Sequence, residues 1–178
     1  ENGSIKIEQL DKSDLDNVRR DIREIIKLTE KSAGITPLAL MPLSLKHWIV
    51  AREDEDTLLL NDICIVAREG KKIVGFISGA PARDYADYFY IEYTAVHPDF
   101  QKQRIGIRLL EKFCDAVRDR NYRFIGFVAK PEIVDYVRRE LPGIKIQEIG
   151  KHRITGTQRY LIDLEESYGR ENEEFPDK

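Results

Sequence analysis

Val96-His97-Pro98-Asp99-Phe100-Gln101-Lys102-Gln103-Arg104-Ile105-Gly106-Ile107-Arg108-Leu109-Leu110 passes from strand to loop to helix within fifteen residues. It begins at the end of an aromatic and β-branched run, Tyr88 to Val96, which stops at Pro98, a residue that cannot donate to a strand ladder. It ends among residues at helical spacing, Gly106, Leu109, Leu110, Phe113 and Val117, on a segment closed around Arg118 to Asn121 by cations suited to the negative end of a helix. The first turn of a helix leaves backbone N–H groups without partners and carries partial positive charge. A loop folded over it therefore makes a site for a phosphate or pyrophosphate. Gly106, lacking a side chain, lets such an anion approach closely, and Lys102 and Arg104 add mobile positive charge. The loop has neither Gly-x-Gly-x-x-Gly nor Gly-Lys-Ser/Thr, which removes the sequence warrant for NAD or ATP.

Working outward, Ile5 and Ile7 alternate with polar residues in an opening strand, and Asp11 and Ser13 offer caps for a helix. Leu15, Val18, Ile22, Ile25 and Ile26 form its buried stripe, with Arg19, Arg20, Arg23 and Glu24 toward water. Gly34, Pro37 and Pro42 break the chain before a shorter helix near Ser44, marked by Leu45, Trp48, Ile49 and Arg52; the acidic run Glu53 to Asp56 is its solvated end and loop. Ile63 to Ala67 and Ile73 to Ser78 read as a β-hairpin. Downstream lie a strand from Arg123 to Val128 and a helix opened by Pro131, with Ile133, Tyr136, Val137 and Leu141 on its buried face and Pro142 and Gly143 as its stop. Ile144 to Ile149 and Gln158 to Leu164 make a last strand pair. This order implies an α/β (α+β) fold with a mixed, mostly antiparallel central sheet and helices on both faces. Residues 1–164 form one domain, and 165–178 a polar, flexible tail.

Composition narrows the function. At 178 residues, 42% hydrophobic and 34% charged, the chain is expected to bury roughly 70% of its unfolded surface without staples. The balance of 29 Lys and Arg against 32 Asp and Glu, net −3, argues against nucleic acid as partner. Cys64 and Cys114 lie in apolar segments with no Cys or His at zinc-site spacing, and His47, His97 and His152 are far apart, so no metal site is expected. No apolar run approaches the roughly 20 residues of a membrane span, and no signal-peptide pattern opens the chain. The expectation is a cytoplasmic protein in a reducing compartment with no membrane partner; oligomeric state, a homodimer included, is left open.

Gln101-x-x-Arg104-x-Gly106, preceded by Val96-His97-Pro98 and followed by Leu109-Leu110, resembles the acetyl-CoA-binding motif of the GCN5-related N-acetyltransferase (GNAT) family, Arg/Gln-x-x-Gly-x-Gly/Ala after a strand ending in Val-x-Pro. The element order from about Ile5 to Leu164 is similar too, which implies the acyl-CoA N-acyltransferase-like fold. The resemblance implies transfer of an acetyl group from acetyl-CoA to a primary amine, of a small molecule or a peptide, by direct attack in a ternary complex. It places the donor against Gln101, Lys102, Gln103, Arg104, Ile105, Gly106 and Ile107, and its pantetheine against backbone groups of Thr94, Ala95 and Val96, where two parallel strands splay. An N–H aimed there at the developing oxyanion would supply about 3 kcal/mol. The chain departs from the motif at Arg104, where the family often has its first glycine. Arginine suits helical dihedrals, so the loop is expected to do without a positive φ there. Its side chain either reaches a phosphate of CoA or is solvated.

Two catalytic roles follow from the same resemblance. Tyr136, the one tyrosine of its helix, is placed to protonate the departing thiolate, since a phenol of pKa about 10 donates to a thiolate of about 8.5. Against this stand ordinary packing beside Ile133, and Val137 as the equivalent position. Glu92, a carboxylate within an aromatic strand, is either a general base or amine-attracting group, or an ion-paired sheet residue. Asp84, Tyr85, Asp87 and Tyr88 form an acidic, aromatic loop suited to a basic acceptor. The competing readings are a non-catalytic acyl-CoA-binding module and an interaction domain without CoA affinity.

Overall fold

Burial of the apolar runs explains how the chain is layered. The computed structural model describes residues 3–10, 13, 15–33, 63–82, 85–151 and 156–168. The expected helix near Ser44, together with His47, Trp48, Asp84 and His152, lies outside the described residues. Seven strands form one sheet: β1 (Ile5–Gln9), β2 (Ile63–Glu69), β3 (Lys72–Pro81), β4 (Tyr88–Val96), β5 (Phe124–Val128), β6 (Ile146–Lys151) and β7 (Gln158–Asp163). Their order is β1-β2-β3-β4-β5-β7-β6. All neighbours are antiparallel except β4 and β5. Helix α1 (Leu15–Ala33) covers one face, burying Val18, Ile22, Ile25 and Ile26 with Val66, Ile73 and Phe76. Helices α2 (Ile105–Asp119) and α3 (Pro131–Glu140) cover the other, where Leu109, Phe113, Val117 and Val134 meet Ile65, Phe89 and Ile125. Each helix offers one apolar stripe, and a sheet with two such coats buries both of its faces.

Two bulges shape the sheet around the loop. Ala67 pairs with Gly75 but Arg68 with Ile73, so Val74 is the extra residue on β3. Ser78 pairs with Tyr93 but Gly79 with Ile91, so Glu92 is the extra residue on β4. Phe89 and Ile91 face the α2 side, whereas Tyr93 and Ala95, also odd-numbered, pack toward α1; inserting Glu92 reverses the alternation. At this bulge only glycine serves at position 79, because a Cβ there would lie 2.1 Å from the Tyr90 carbonyl oxygen and 2.5 Å from Cζ of Phe113. β4 pairs with β5 over Tyr88 to Tyr90 only. Beyond it the bulge bends β4 away while β5 continues beside β7, and the two parallel strands part.

Several local expectations are corrected. Ile133 is exposed, and the buried face of α3 is Val134, Val137 and the following Leu141. The chain turns at Ile144, whose N–H donates to the Leu141 carbonyl, so β6 starts at Ile146. The expected tail opens instead with a short helix, α4 (Leu164–Tyr168). Asp163 caps it, its Oδ1 accepting from the N–H groups of Glu165 (3.0 Å) and Glu166 (3.3 Å). Arg123 does not join β5: its Nε and Nη2 donate to the Asp163 carboxylate at 3.4 and 3.0 Å.

Candidate active site

The loop between β4 and α2 is held from its first residue. The His97 N–H donates to the Val74 carbonyl (2.7 Å), which the β3 bulge turns toward it. The His97 ring is buried and meets Phe100 edge to face, centroids 5.7 Å apart. Its Nδ1 accepts from the Asp99 N–H (3.2 Å), capping the single 3-10 turn Pro98–Phe100; the other nitrogen therefore carries the proton. That Nε2 lies 3.7 Å from Oε1 of Glu24 on α1, and Lys72 Nζ of β3 is 3.5 Å from the same oxygen. Three elements thus converge on His97, a role that a lone loop histidine does not advertise in sequence.

Beyond this turn the backbone opens. The Gln101 N–H is taken by the Pro98 carbonyl (3.3 Å), and its side-chain Nε2 donates to the Val96 carbonyl (3.2 Å). Lys102 and Arg104 then adopt left-handed φ values of 64° and 59°. The expectation of no positive φ at Arg104 is overturned: the arginine takes the glycine-like conformation itself, at a cost of about 1 to 2 kcal/mol. The result is that the N–H groups of Lys102, Gln103, Arg104, Ile105, Gly106 and Ile107 have no acceptor among the described residues. Backbone amides alternating through left-handed residues into a helix mouth form an anion-binding concavity. At Gly106 an added Cβ would meet no atom beyond its own helix closer than Val96 Cγ2 at 3.9 Å, so this position has room for a side chain.

These amides border a cleft of about 520 Å³ between α2 and α3. Val96, Gln101, Lys102, Arg104, Ile105 and Gly106 line one side, and Tyr136 and Glu140 the other. Tyr136 is half-buried and faces this cleft, whereas Val137 is buried in the core, which rules out Val137 as the cleft position. The Arg104 side chain crosses the opening, with its Nε 3.1 Å from Oε2 of Glu140. Glu140 was not foreseen, although it lies one helical turn beyond Tyr136 and so shares its face. The other expected residues do not line this cleft. Glu92 is half-buried in the β4 bulge where β4 leaves β5, Thr94 is exposed, Ala95 packs toward α1, Gln103 is exposed, and the Ile107 side chain is in the core. In the loop before β4, Tyr85 is exposed and its ring lies 5.5 Å from that of Tyr88.

Two hollows of about 560 Å³ lie at the opposite end of α2, around Asn121 and Tyr122. Size does not separate them from the cleft, but polarity does: the C-terminal end of a helix presents carbonyls and disfavours an anion. The cysteines supply no nucleophile. Both are buried, and burial, with the Asp115 charge and against a Tyr168 hydrogen bond, pushes the Cys114 thiol up to about 12.

The family model described as the Acetyltransferase (GNAT) family matches residues 26–133, more than half of the chain. No curated protein matches in sequence. Among solved structures, an acetyltransferase of the GNAT family from Staphylococcus aureus Mu50 is similar, at 14% identity and a TM-score of 0.63, over 90% of this chain and 99% of that one. The PaiA N-acetyltransferase of Thermoplasma acidophilum, in complex with coenzyme A, is 18% identical with a TM-score of 0.60 over the same shares. A GNAT family acetyltransferase from Brucella melitensis, in complex with acetyl-CoA, is 16% identical with a TM-score of 0.58, over 88% of this chain and 87% of that one. At these identities the likeness is one of fold.

Proposed function

The chain belongs to the acetyltransferase (GNAT) family, and on that premise we propose that it moves the acetyl group of acetyl-CoA onto a primary amine by direct attack in a ternary complex. The observation that carries this reading is the run of amides from Lys102 to Ile107 at the mouth of α2, which have no acceptor among the described residues, with Lys102, Arg104, Ile105 and Gly106 lining the same cleft as Tyr136. The amides and the Lys102 cation take the donor's pyrophosphate. Pantetheine runs along β4 from Val96 toward Thr94, on the side from which β5 has withdrawn. A β4 N–H there polarises the thioester carbonyl, worth about 3 kcal/mol as negative charge develops on its oxygen. The complexes of the Thermoplasma protein with coenzyme A and of the Brucella protein with acetyl-CoA support the choice of donor.

The proton balance assigns the side chains. The amine nitrogen bonds to the acetyl carbon, the carbon–sulfur bond breaks, and the thiolate takes a proton from the Tyr136 hydroxyl, while the second proton that the nitrogen sheds on becoming an amide returns through water to the phenolate. The incoming ammonium must first lose a proton, to Glu92 directly or through water, from the point where β4 and β5 part.

Gly106→Glu tests the reading. A carboxylate in the first turn favours the helix, and the Cβ it requires is in ordinary contact with Val96 alone, so the variant should melt no lower than wild type. It should also abolish CoA binding measured by calorimetry. Undiminished CoA binding in Gly106→Glu would remove the amides from the site. CoA binding without thiol release for any amine in a broad panel would reduce the chain to an acyl-CoA-binding module.

A further inference from the structure

Arg104 is the point at which this chain departs from the family motif, and its side chain bridges two helices. The ion pair with Glu140 ties the N-cap of α2 to the last turn of α3 across the cleft. Among the described residues lining the cleft, Glu140 is the one carboxylate, set against the cations Lys102 and Arg104. The Arg104 side chain is 58% exposed and that of Glu140 31%, so solvent screens the pair and it separates readily. A glycine at 104 would take the left-handed φ at no cost and leave the opening unbridged. Arginine instead accepts the strain and sets a permanent cation beside the acceptor-free amides, with Glu140 as its counter-ion.

We propose that this pair is exchangeable: a phosphate of the donor takes the Arg104 guanidinium from Glu140, so that Glu140 sets the affinity for the donor. The proposal rests on the acetyl-CoA reading above. A guanidinium binds phosphate by the same paired N–H contacts that it makes to carboxylate. Phosphates held at the α2 amides compete for Arg104 at high local concentration, so the single carboxylate is the partner that yields. Once displaced, Glu140 stays on the cleft wall and repels the bound phosphates. Its charge opposes binding twice, by occupying Arg104 and by facing the ligand.

The test is calorimetric titration of CoA into wild type, Glu140→Gln, Arg104→Gln and the double variant, with thermal melting to verify that each is folded. Glu140→Gln should lower Kd about three- to tenfold and Arg104→Gln should raise it by a similar factor. In the Arg104→Gln background the change at 140 should give a smaller gain, because no guanidinium is left to release. An unchanged or raised Kd in Glu140→Gln overturns the proposal. An equal gain in both backgrounds also overturns it, leaving simple repulsion in place of exchange. A wild-type protein that binds CoA while failing these comparisons keeps its donor reading; one that binds no CoA loses both.

Discussion

Tyr136 and Val137 are neighbours in the chain and occupy opposite environments. Val137 contributes to the core with Val134 and Leu141, which fixes the rotation of α3 and turns Tyr136 toward the cleft. The Arg139 guanidinium lies 5.8 Å from the Tyr136 ring centroid, so a cation flanks the phenol on its own helix. If the hydroxyl protonates the leaving thiolate, Tyr136→Phe should lower kcat by about 100-fold. The ring is retained in that variant, so Kd for CoA should stay within about twofold of wild type. Steady-state kinetics beside calorimetry would separate the two quantities. Unchanged turnover would return Tyr136 to a packing role.

At the scale of elements, the loop between β4 and α2 is shaped by what grips its first four residues. His97 anchors β4 to the bulge of β3 through its backbone, caps the 3-10 turn through Nδ1 and faces Glu24 of α1 through Nε2. The amides without an acceptor among the described residues begin five residues later, so their direction is inherited from this clasp. His97→Ala leaves the Asp99 N–H without its acceptor and should raise KM for acetyl-CoA about tenfold, with little change in kcat. Asparagine, whose side-chain oxygen caps turns in the same way, should recover most of the loss. An asparagine variant no better than alanine would show that Nδ1 is not what positions the loop.

Over the whole molecule, the last three strands of the sheet are tied together at one end by a charge. Asp163 ends β7, caps α4 and binds Arg123 just before β5. Ser167 of α4 in turn accepts the Lys145 N–H and donates to the Asp163 carbonyl, and Tyr168 lies under the Arg118 guanidinium. Burial raises the Asp163 pKa, but the Arg123 hydrogen bond and charge and the N–H groups of Glu166 and Glu165 outweigh it and leave the carboxyl below its ordinary value. A carboxyl depressed in the folded state contributes stability above its unfolded pKa, about 3.9, and loses it as pH falls through the folded value. Asp163→Ala should therefore cost about 1 to 2 kcal/mol at pH 7 in urea unfolding, and the gap to wild type should narrow below about pH 4. A gap that is constant from pH 7 to pH 3 would mean that the carboxylate charge contributes nothing.

The sequence alone determined the features that depend on near neighbours. Alternation in Ile5 and Ile7, helical spacing from Leu109 to Val117 and the breaks at Pro98, Pro142 and Gly143 reflect backbone sterics and apolar periodicity, which act over a few residues. The strand–loop–helix passage around Gly106, and with it the resemblance to the family, belongs to that class. Tertiary structure alone decided which residues meet. Val74 and Glu92 became bulges only when partner strands imposed their register, and His97 acquired its role only when α1 and β3 closed over it. The bond of Arg104 to Glu140 joins helices separated by a strand in the chain. Pairing across such separations is set by the packing of whole faces, to which each residue's immediate sequence contributes only a small part.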